Sequence, residues 1–344
     1  MGASKKRVSY IEWLRVISMI AVVFNHIGST AETAFPDTYF KSIGGVLLGA
    51  VDWLSHFAVP IFFMISGALL LNPKKDLPLK RLWKRYILRY TLDIVIFGWL
   101  FSIMEEVFAS QNKGVIKLIG KSFLNMLGGN TWAHMWYLYT LLGIMLILPI
   151  LRKVTQFQNK VEFKYSLVIL FVSLSIIQYI EQLSQIRFGV HLPIDSIYVF
   201  YMFVGYYISI TDIRIKKETL NILIAFCAVI LIIGAYYRIM NVFDSKIGAY
   251  YSPVIVIYAI CLFTVAKEAS LFSHTNKMVE TLSNVSFGVY LVHMIFINFV
   301  FKFLEINPTM LYGTVGIIIA IVVFGISILC VAIGKKIPVI RCIL

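Results

Sequence analysis

Three ionisable residues lie within the first long apolar stretch of this sequence, where such side chains are costly if the stretch is embedded in lipid. They are Glu12, Arg15 and His26. In an α-helix the spacing of Arg15 and His26 is about three full turns, so both lie on one face, about 16 Å apart along the axis. Glu12 and Arg15 are spaced i,i+3 and can form an ion pair. The stretch predicts a charged pair near one end of a helix and an imidazole further along, which together mark a candidate functional site. The alternative for His26 is a hydrogen-bonded core histidine.

A row of basic residues leads into the third apolar stretch. Arg81, Arg85 and Arg89 are spaced four residues apart, so a helix aligns them on one face, with Lys84 beside them. Guanidinium groups bind phosphate through paired hydrogen bonds, and the row is therefore a candidate phosphate clamp. The alternative is ordinary anchoring of basic residues at the cytoplasmic rim of a membrane. Anchoring explains Arg89 least well, because it lies deepest in the apolar stretch.

Further polar and aromatic residues lie on the side of the predicted helices opposite to the basic row. Asp52 and His56 are spaced i,i+4, and Pro60 removes the backbone donor for the carbonyl group of His56, which predicts a kink. We expect these two residues near the acceptor substrate. The other candidates for that side are His134, Trp136, Tyr137 and His293. A structural histidine and an interfacial aromatic belt are the alternatives for these residues.

Composition indicates the environment in which these residues act. Of the 344 residues, 60% are hydrophobic and 14% are charged, whereas a soluble globular protein has about 25% charged residues. The mean hydropathy is +0.85. These values exclude a soluble enzyme, a nucleic-acid-binding protein and a disordered chain, although the net charge of +14 alone is compatible with nucleic acid. The four cysteines form no C-x-x-C pair, so we expect neither a disulfide framework nor a metal site.

Ten apolar stretches are bounded by charged residues, Pro, Gly or Asn, and a helical membrane crossing needs about 20 residues. We therefore predict an all-α membrane protein with about ten transmembrane helices in a single domain over residues 1–344. The stretches cover residues 11–28, 44–71, 86–104, 133–151, 165–183, 195–211, 219–238, 249–266, 285–304 and 312–334.

The basic residues predict the orientation of these helices. With the N-terminus in the cytoplasm, 21 Lys and Arg residues fall in inner segments and 8 in outer segments. This excess places both termini on the cytoplasmic side. The first stretch has a second interpretation, a cleaved signal peptide, because basic residues precede its apolar run. Arg15 and His26 are unusual for a disposable segment and favour a retained helix.

These motifs occur in an order that resembles the acyltransferase-3 family, the ten-span membrane O-acyltransferases that modify cell-surface polysaccharides. The resemblance is carried by residues 10–15 (YIEWLR) with Asn25 and His26, and by residues 57–67, 134–139 and 286–293. The first of these is similar to the family's Arg-x10-His signature. The third helix departs from the family's Arg-x-x-Arg motif, because three residues separate Arg85 from Arg89. Asp93 also stands where the family leads us to expect proline.

The resemblance implies acyl transfer from cytoplasmic acyl-CoA, most simply acetyl-CoA, as co-substrate. The acceptor is a hydroxyl group of a surface polysaccharide or its lipid-linked precursor at the cell membrane. The resemblance makes His26 the catalytic base, or a covalent acyl carrier, with Arg15 in support. The implied contacts to the phosphate groups of CoA are Arg81, Lys84, Arg85 and Arg89. Membrane lipids and the glycan are the expected partners, without nucleic acid.

Two other functions stay open from the residues alone. A secondary transporter or lipid-glycan flippase also combines many spans with buried charges. A non-catalytic membrane partner in polysaccharide assembly is the third hypothesis. The sequence shows neither paired discontinuous helices nor clear symmetry in favour of a transporter. Silent substitutions at His26 and Arg15 would favour the non-catalytic partner.

Overall fold

The structure is a computed structural model that describes residues 8–109, 115–156, 159–189, 192, 194–212 and 215–338. All regular structure in these ranges is helical, which confirms the predicted all-α fold. Residues 1–7 and 339–344 lie outside these ranges, together with several of the basic residues counted for orientation: Lys5, Lys6, Arg7, Lys113, Arg214 and Arg341. The cytoplasmic placement of both termini stays a prediction.

Eight helical segments of the described chain are long and apolar enough to cross a membrane. They are Ser9–Ala34, Ile43–Leu70, Leu79–Val107, Ala133–Gln156, Val161–Ser184, Lys217–Ile239, Lys277–Phe303 and Leu311–Gly334. The other two predicted stretches form shorter helices of 14 and 16 residues, Ile197–Ile210 and Pro253–Glu268. Every predicted stretch is therefore largely helical, which is consistent with about ten membrane helices.

The α-helices are numbered in chain order. They are α1 (Ser9–Ala34), α2 (Pro36–Tyr39), α3 (Ile43–Ser55), α4 (Ala58–Leu70), α5 (Leu79–Leu82), α6 (Leu88–Asp93), α7 (Trp99–Ala109), α8 (Val115–Leu127), α9 (Trp136–Gln156), α10 (Lys160–Phe171), α11 (Gln178–Ser184), α12 (Ile197–Ile210), α13 (Lys217–Ile239), α14 (Pro253–Glu268), α15 (Lys277–Asn298) and α16 (Thr314–Gly334). Turns of π-helix join several neighbours, at Trp83–Ile87, Ile94–Gly98, Val172–Ile177 and Phe299–Phe303.

The described residues form two compact units. The first contains those of 1–71 and 158–336, and the second contains those of 72–157 with 337 and 338. Within the first unit, α1 packs against α3, α4, α14, α15 and α16, so it is the central helix. The single domain over residues 1–344 stays a prediction.

Local sequence signals explain where several helices of the first unit begin. Side chains that accept a backbone N–H hydrogen bond cap five of them: Ser42, Asn159, Ser196, Ser252 and Asn276. The expected interruption before Pro60 is present, because α3 ends at Ser55 and α4 begins at Ala58. Proline is tolerated in the first turn of α4, where the backbone groups have no partner within the helix.

Gly28 allows α1 and α3 to approach closely at the level of the candidate site. A Cβ atom at this position would lie 2.7 Å from Cβ of Asp52 and 2.8 Å from the carbonyl oxygen of Leu48. Both distances are shorter than a normal van der Waals contact, so a larger residue would force the two helices apart. The glycine thus brings the polar residues of α1 within reach of those of α3.

Candidate functional site

Polar side chains of α1 and α3 bond to one another inside the first unit. Nδ2 of Asn25 donates a hydrogen bond of 2.5 Å to Oδ1 of Asp52, and Nε2 of His56 lies 3.5 Å from the same oxygen. Asp52 is only 4% exposed. A buried carboxylate is costly unless it is paired and hydrogen-bonded. The amide and the imidazole therefore stabilise Asp52 where water cannot.

The other nitrogen of His56 faces a backbone carbonyl group. Its Nδ1 lies 2.5 Å from the carbonyl oxygen of Gly248, which can only accept, so Nδ1 carries a proton. Since Nε2 faces the carboxylate of Asp52, an imidazole protonated on both nitrogens satisfies both acceptors. The ring of Tyr250 lies 5.4 Å from the ring of His56 and closes one side of it. His56 thus links α3 to the loop that precedes α14.

Hydrogen bonds from two other helical segments of the first unit fix this loop, residues 241–252, through its backbone. Oη of Tyr179 donates to the carbonyl oxygen of Ser245 at 2.9 Å, and Oη of Tyr201 donates to the carbonyl oxygen of Tyr250 at 2.7 Å. Oγ of Ser175 donates to the carbonyl oxygen of Tyr251 at 2.7 Å. Backbone carbonyl groups of a loop need such partners when they are withdrawn from water. The carbonyl group of Gly248 is consequently held in a defined position against His56.

His26 lies beside a second histidine, His293 on α15. The two ring centroids are 5.2 Å apart and the ring planes are inclined by 39°. His293 is fully buried, whereas His26 keeps part of its surface exposed. Two imidazoles that are far apart in the sequence are therefore adjacent, and one of them is accessible. We call His26, His293, Asn25, Asp52 and His56 the histidine centre.

The predicted ion pair of α1 is confirmed. Nη1 of Arg15 lies 3.3 Å from Oε1 of Glu12, and the side chain of Glu12 is nearly buried while that of Arg15 is 31% exposed. A helical rise of about 1.5 Å per residue separates Arg15 from His26 by about 16 Å along the axis. This separation places the side chain of Arg15 about three helical turns from that of His26.

Most of the predicted phosphate clamp lines one open recess in the second unit. The recess has a volume of about 580 Å³ and is lined by Pro78, Lys80, Arg81, Lys84 and Arg85, and we call it the basic recess. Arg89 is not part of its wall, because Nε of Arg89 faces Oδ2 of the fully buried Asp93 at 3.9 Å. Lys80 joins the lining although the sequence analysis did not single it out. Whether these residues bind phosphate stays a prediction.

The aromatic residues predicted near the acceptor side belong to the second unit and differ in exposure. His134 is 1% exposed, and its ring centroid lies 5.3 Å from that of Phe101. Phe101 also stacks on Trp132, with centroids 4.4 Å apart and planes 9° apart. Trp136 and Tyr137 contact each other edge to face at 6.3 Å and are partly exposed. Of His134, Trp136 and Tyr137, only Trp136 and Tyr137 have exposed ring surface on which another ring can stack.

Two carboxylates that the sequence analysis did not single out lie near the end of α7. Oε2 of Glu105 accepts a hydrogen bond of 3.0 Å from Nε1 of Trp132. Oε1 of Glu106 lies 2.6 Å from Nζ of Lys121 and 3.1 Å from Nδ2 of Asn125. The segment between α7 and α9 therefore contains a helix, α8, whose polar side chains Lys121 and Asn125 bond to α7. A non-local pairing of this kind leaves no local signal in the sequence.

Comparison with known proteins gives one result. Residues 8–333 match a family model described as an acyltransferase domain, and this range includes the histidine centre and the basic recess. No curated protein and no solved structure matches the chain. Among the described residues, no group of three or more His, Cys, Asp or Glu side chains is arranged to hold a metal ion.

Proposed function

Because the chain belongs to the acyltransferase-3 family, we propose that it moves an acyl group, most simply acetyl, from cytoplasmic acyl-CoA to a hydroxyl group of a cell-surface polysaccharide or its lipid-linked precursor. The many apolar helices support a multi-pass membrane acyltransferase. One observation carries the proposal: the partly exposed imidazole of His26 lies within a helical bundle, beside a second imidazole. We place the reaction at the cell membrane.

His26 acts as a general base in this proposal. Its neutral imidazole removes the proton of the acceptor hydroxyl while the oxygen attacks the carbonyl carbon of the thioester. When the tetrahedral intermediate collapses, the C–S bond breaks, and the sulfur of CoA leaves and takes up the proton from His26. General-base catalysis of this kind contributes about 10²–10⁴-fold to a rate. Arg15, which lies further along α1, guides the donor and does not take part in the bond changes.

The basic recess binds the phosphate groups of CoA. Its four cations are Lys80, Arg81, Lys84 and Arg85. Charge-assisted hydrogen bonds from guanidinium groups to phosphate are stronger than neutral ones, and an open recess accepts a flexible nucleotide without a large desolvation cost. Arg89 stays a predicted contact, but its ion pair with Asp93 makes Arg81 and Arg85 the stronger candidates.

The base is tested by His26→Ala in protein reconstituted into nanodiscs. Release of CoA from acetyl-CoA is measured in the presence of the polysaccharide fraction of the source cells, alongside thermal unfolding. We expect the rate to fall by about 10²–10⁴-fold with unchanged stability. His274→Ala, at an exposed loop position, is the matched control and should keep the full rate. Full activity of a folded His26→Ala protein excludes His26 from the mechanism.

The recess is tested by the double variant Arg81→Ala plus Arg85→Ala. We expect the KM for acetyl-CoA to rise about tenfold or more, since tenfold corresponds to about 1.4 kcal/mol of binding free energy. The matched control is Lys216→Ala plus Lys217→Ala, which removes two exposed cations from the first unit. Added salt should raise the wild-type KM and have less effect on the double variant. An unchanged KM identifies the cations as membrane anchors.

A further inference from the structure

The helix α8 presents apolar side chains along one exposed face, although it is not among the eight long apolar segments of the described chain. Six of these side chains are between 39% and 88% exposed: Val115, Ile116, Ile119, Phe123, Leu124 and Leu127. At about 3.6 residues per turn, they fall within one half of the helix circumference. We call them the apolar face of α8. A contiguous face of this kind is unfavourable in water and indicates contact with an apolar partner.

The other side of α8 attaches the helix to the protein. Nζ of Lys121 lies 2.6 Å from Oε1 of Glu106 on α7, and Nδ2 of Asn125 donates to the same oxygen at 3.1 Å. Ser122, which lies between them in the sequence, is fully buried. A surface helix of a soluble protein turns its apolar side inward and its polar side outward. The arrangement in α8 is the reverse, and the bonds to Glu106 hold its apolar face outward.

The C-terminal half of α8 lies beside the preceding membrane helix and not beyond its end. The ring of Phe123 lies 5.5 Å from that of Trp99, and a Cβ atom at Gly98 would lie 3.2 Å from Cγ of Met126. Gly98 precedes Val107, the last residue of that long apolar segment, by about 13 Å along the helix. This half of α8 is therefore level with the interior of a membrane crossing.

The backbone at the C-terminal end of α8 is satisfied within the protein. N–H groups of the following turn donate to the carbonyl oxygens of Leu124, Asn125 and Met126 at 2.9, 2.8 and 3.1 Å. Oη of Tyr139 on α9 also donates to the carbonyl oxygen of Met126. Gly129, with a φ of 75°, supplies the left-handed residue that such a helix end requires. Lipid cannot hydrogen-bond to backbone groups, so a helix end beside it needs these internal partners.

We propose that α8 is a re-entrant helix whose C-terminal half enters one leaflet of the bilayer, with its apolar face against the acyl chains of lipids. Its 13 residues span about 20 Å, less than the hydrocarbon thickness of about 30 Å, so it does not cross the membrane. Lys117 and Lys121 precede the inserted half, and lysine side chains at such a boundary extend toward lipid headgroups. A second copy of the chain is the other apolar partner. Lipid is favoured because α8 lies beside two helices that are themselves long and apolar enough to cross a membrane.

Nitroxide labels test this placement in the full-length protein in phospholipid nanodiscs. The label is attached to Leu124→Cys or to Leu127→Cys in a chain that also carries Cys330→Ala and Cys342→Ala, because Cys330 is exposed. The other two cysteines are buried. Power-saturation measurements give the accessibility of each label to oxygen, which concentrates among acyl chains, and to a nickel chelate, which stays in water. Two positions are used so that one poorly folding variant does not decide the result.

His274→Cys, in an exposed loop, is the control for a label in water. Ile318→Cys, an exposed position of the long apolar segment Leu311–Gly334, is the reference for a label in lipid. We expect the ratio of oxygen to nickel accessibility at both α8 positions to be several-fold above that at His274 and close to that at Ile318. A ratio as low as at His274 places the apolar face in water and overturns the proposal. Low accessibility to both reagents shows a protein partner instead and also overturns it, and weaker spin–spin broadening after dilution with unlabelled protein would identify that partner as a second copy.

Discussion

The histidine centre and the basic recess hold their polar residues in opposite ways. In the histidine centre, Asn25, Asp52 and His56 bond to one another, and Asp52 is buried. In the basic recess, the cations line an open surface, and Nη1 of Arg81 donates to a backbone carbonyl group at 3.3 Å. Buried polar groups need partners in fixed geometry, whereas exposed charges keep their charge available to a ligand.

This difference matches the two tasks of the proposed reaction. Proton removal requires atoms held at defined distances, and bonded side chains on packed helices supply that order before the substrate binds. Recognition of a mobile phosphate chain depends on charge more than on exact geometry. We therefore expect substitutions in the histidine centre to affect stability and kcat together, and substitutions in the basic recess to affect mainly KM.

The largest effect on stability is expected from Asp52→Ala. The change leaves the N–H groups of Asn25 and His56 without their acceptor, and an unsatisfied buried group costs about 1–3 kcal/mol. The thermal unfolding temperature should fall and kcat should fall with it. Asp212→Ala, at an exposed position, should change stability by no more than about 0.5 kcal/mol. Equal unfolding temperatures for the two variants would show that the hydrogen bonds of Asp52 do not stabilise the protein.

A second prediction compares helix packing in the two units. A Cβ atom at Gly67 of α4 would collide with the carbonyl oxygen of Met202 on α12, whereas Gly143 of α9 has nothing within 4 Å of that position. Gly67→Ala must separate two helix backbones, so we expect a loss of about 1–3 kcal/mol. Gly143→Ala should gain about 0.5–1 kcal/mol, because alanine is the better helix former. Unfolding of both proteins in the same detergent provides the measurement, and a neutral Gly67→Ala contradicts it.

Local features of the sequence predicted the helices and one contact of the candidate site. The apolar stretches depend only on nearby residues, as does the ion pair of Glu12 and Arg15, and both are present. The interruption before Pro60 follows from the missing N–H of proline, which is again local. Such features are readable because a helix fixes the relation between residues three and four positions apart.

Contacts between helices that are distant in the sequence could not be predicted in this way. The sequence marks both His26 and His293 as unusual, but only the arrangement of α1 and α15 makes them neighbours. The role of Asn25 depends on the close approach of α1 and α3, and the carbonyl group of Gly248 belongs to a loop without any motif. A single sequence specifies these pairs only through the complete packing of the bundle.

The smallest expected effect concerns Asp244 and Lys246, a partly exposed ion pair of the first unit that resembles the basic recess in its access to water. Nζ of Lys246 lies 2.6 Å from Oδ2 of Asp244. Partial burial acts to raise the pKa of Asp244, but the hydrogen bonds from Lys246 and the charges of Lys246 and Arg238 outweigh it and lower the pKa below its ordinary value. A carboxyl group whose pKa is lowered by folding stabilises the protein above its unfolded pKa of about 3.9, and this stabilisation is lost as the pH falls through the folded value.

Lys246→Met should therefore destabilise the protein near pH 7, and the difference should shrink as the pH falls through the lowered pKa of Asp244. The difference should not exceed about 1 kcal/mol, because water screens a pair with this exposure. Thermal unfolding at several pH values between 3 and 7 measures it, with Lys217→Met as the control at another exposed lysine. A pH-independent difference would mean that the ion pair with Asp244 does not cause the effect. Charge would then matter less in this exposed pair than we expect in the basic recess. Exposure to water alone would no longer distinguish the basic recess from the histidine centre.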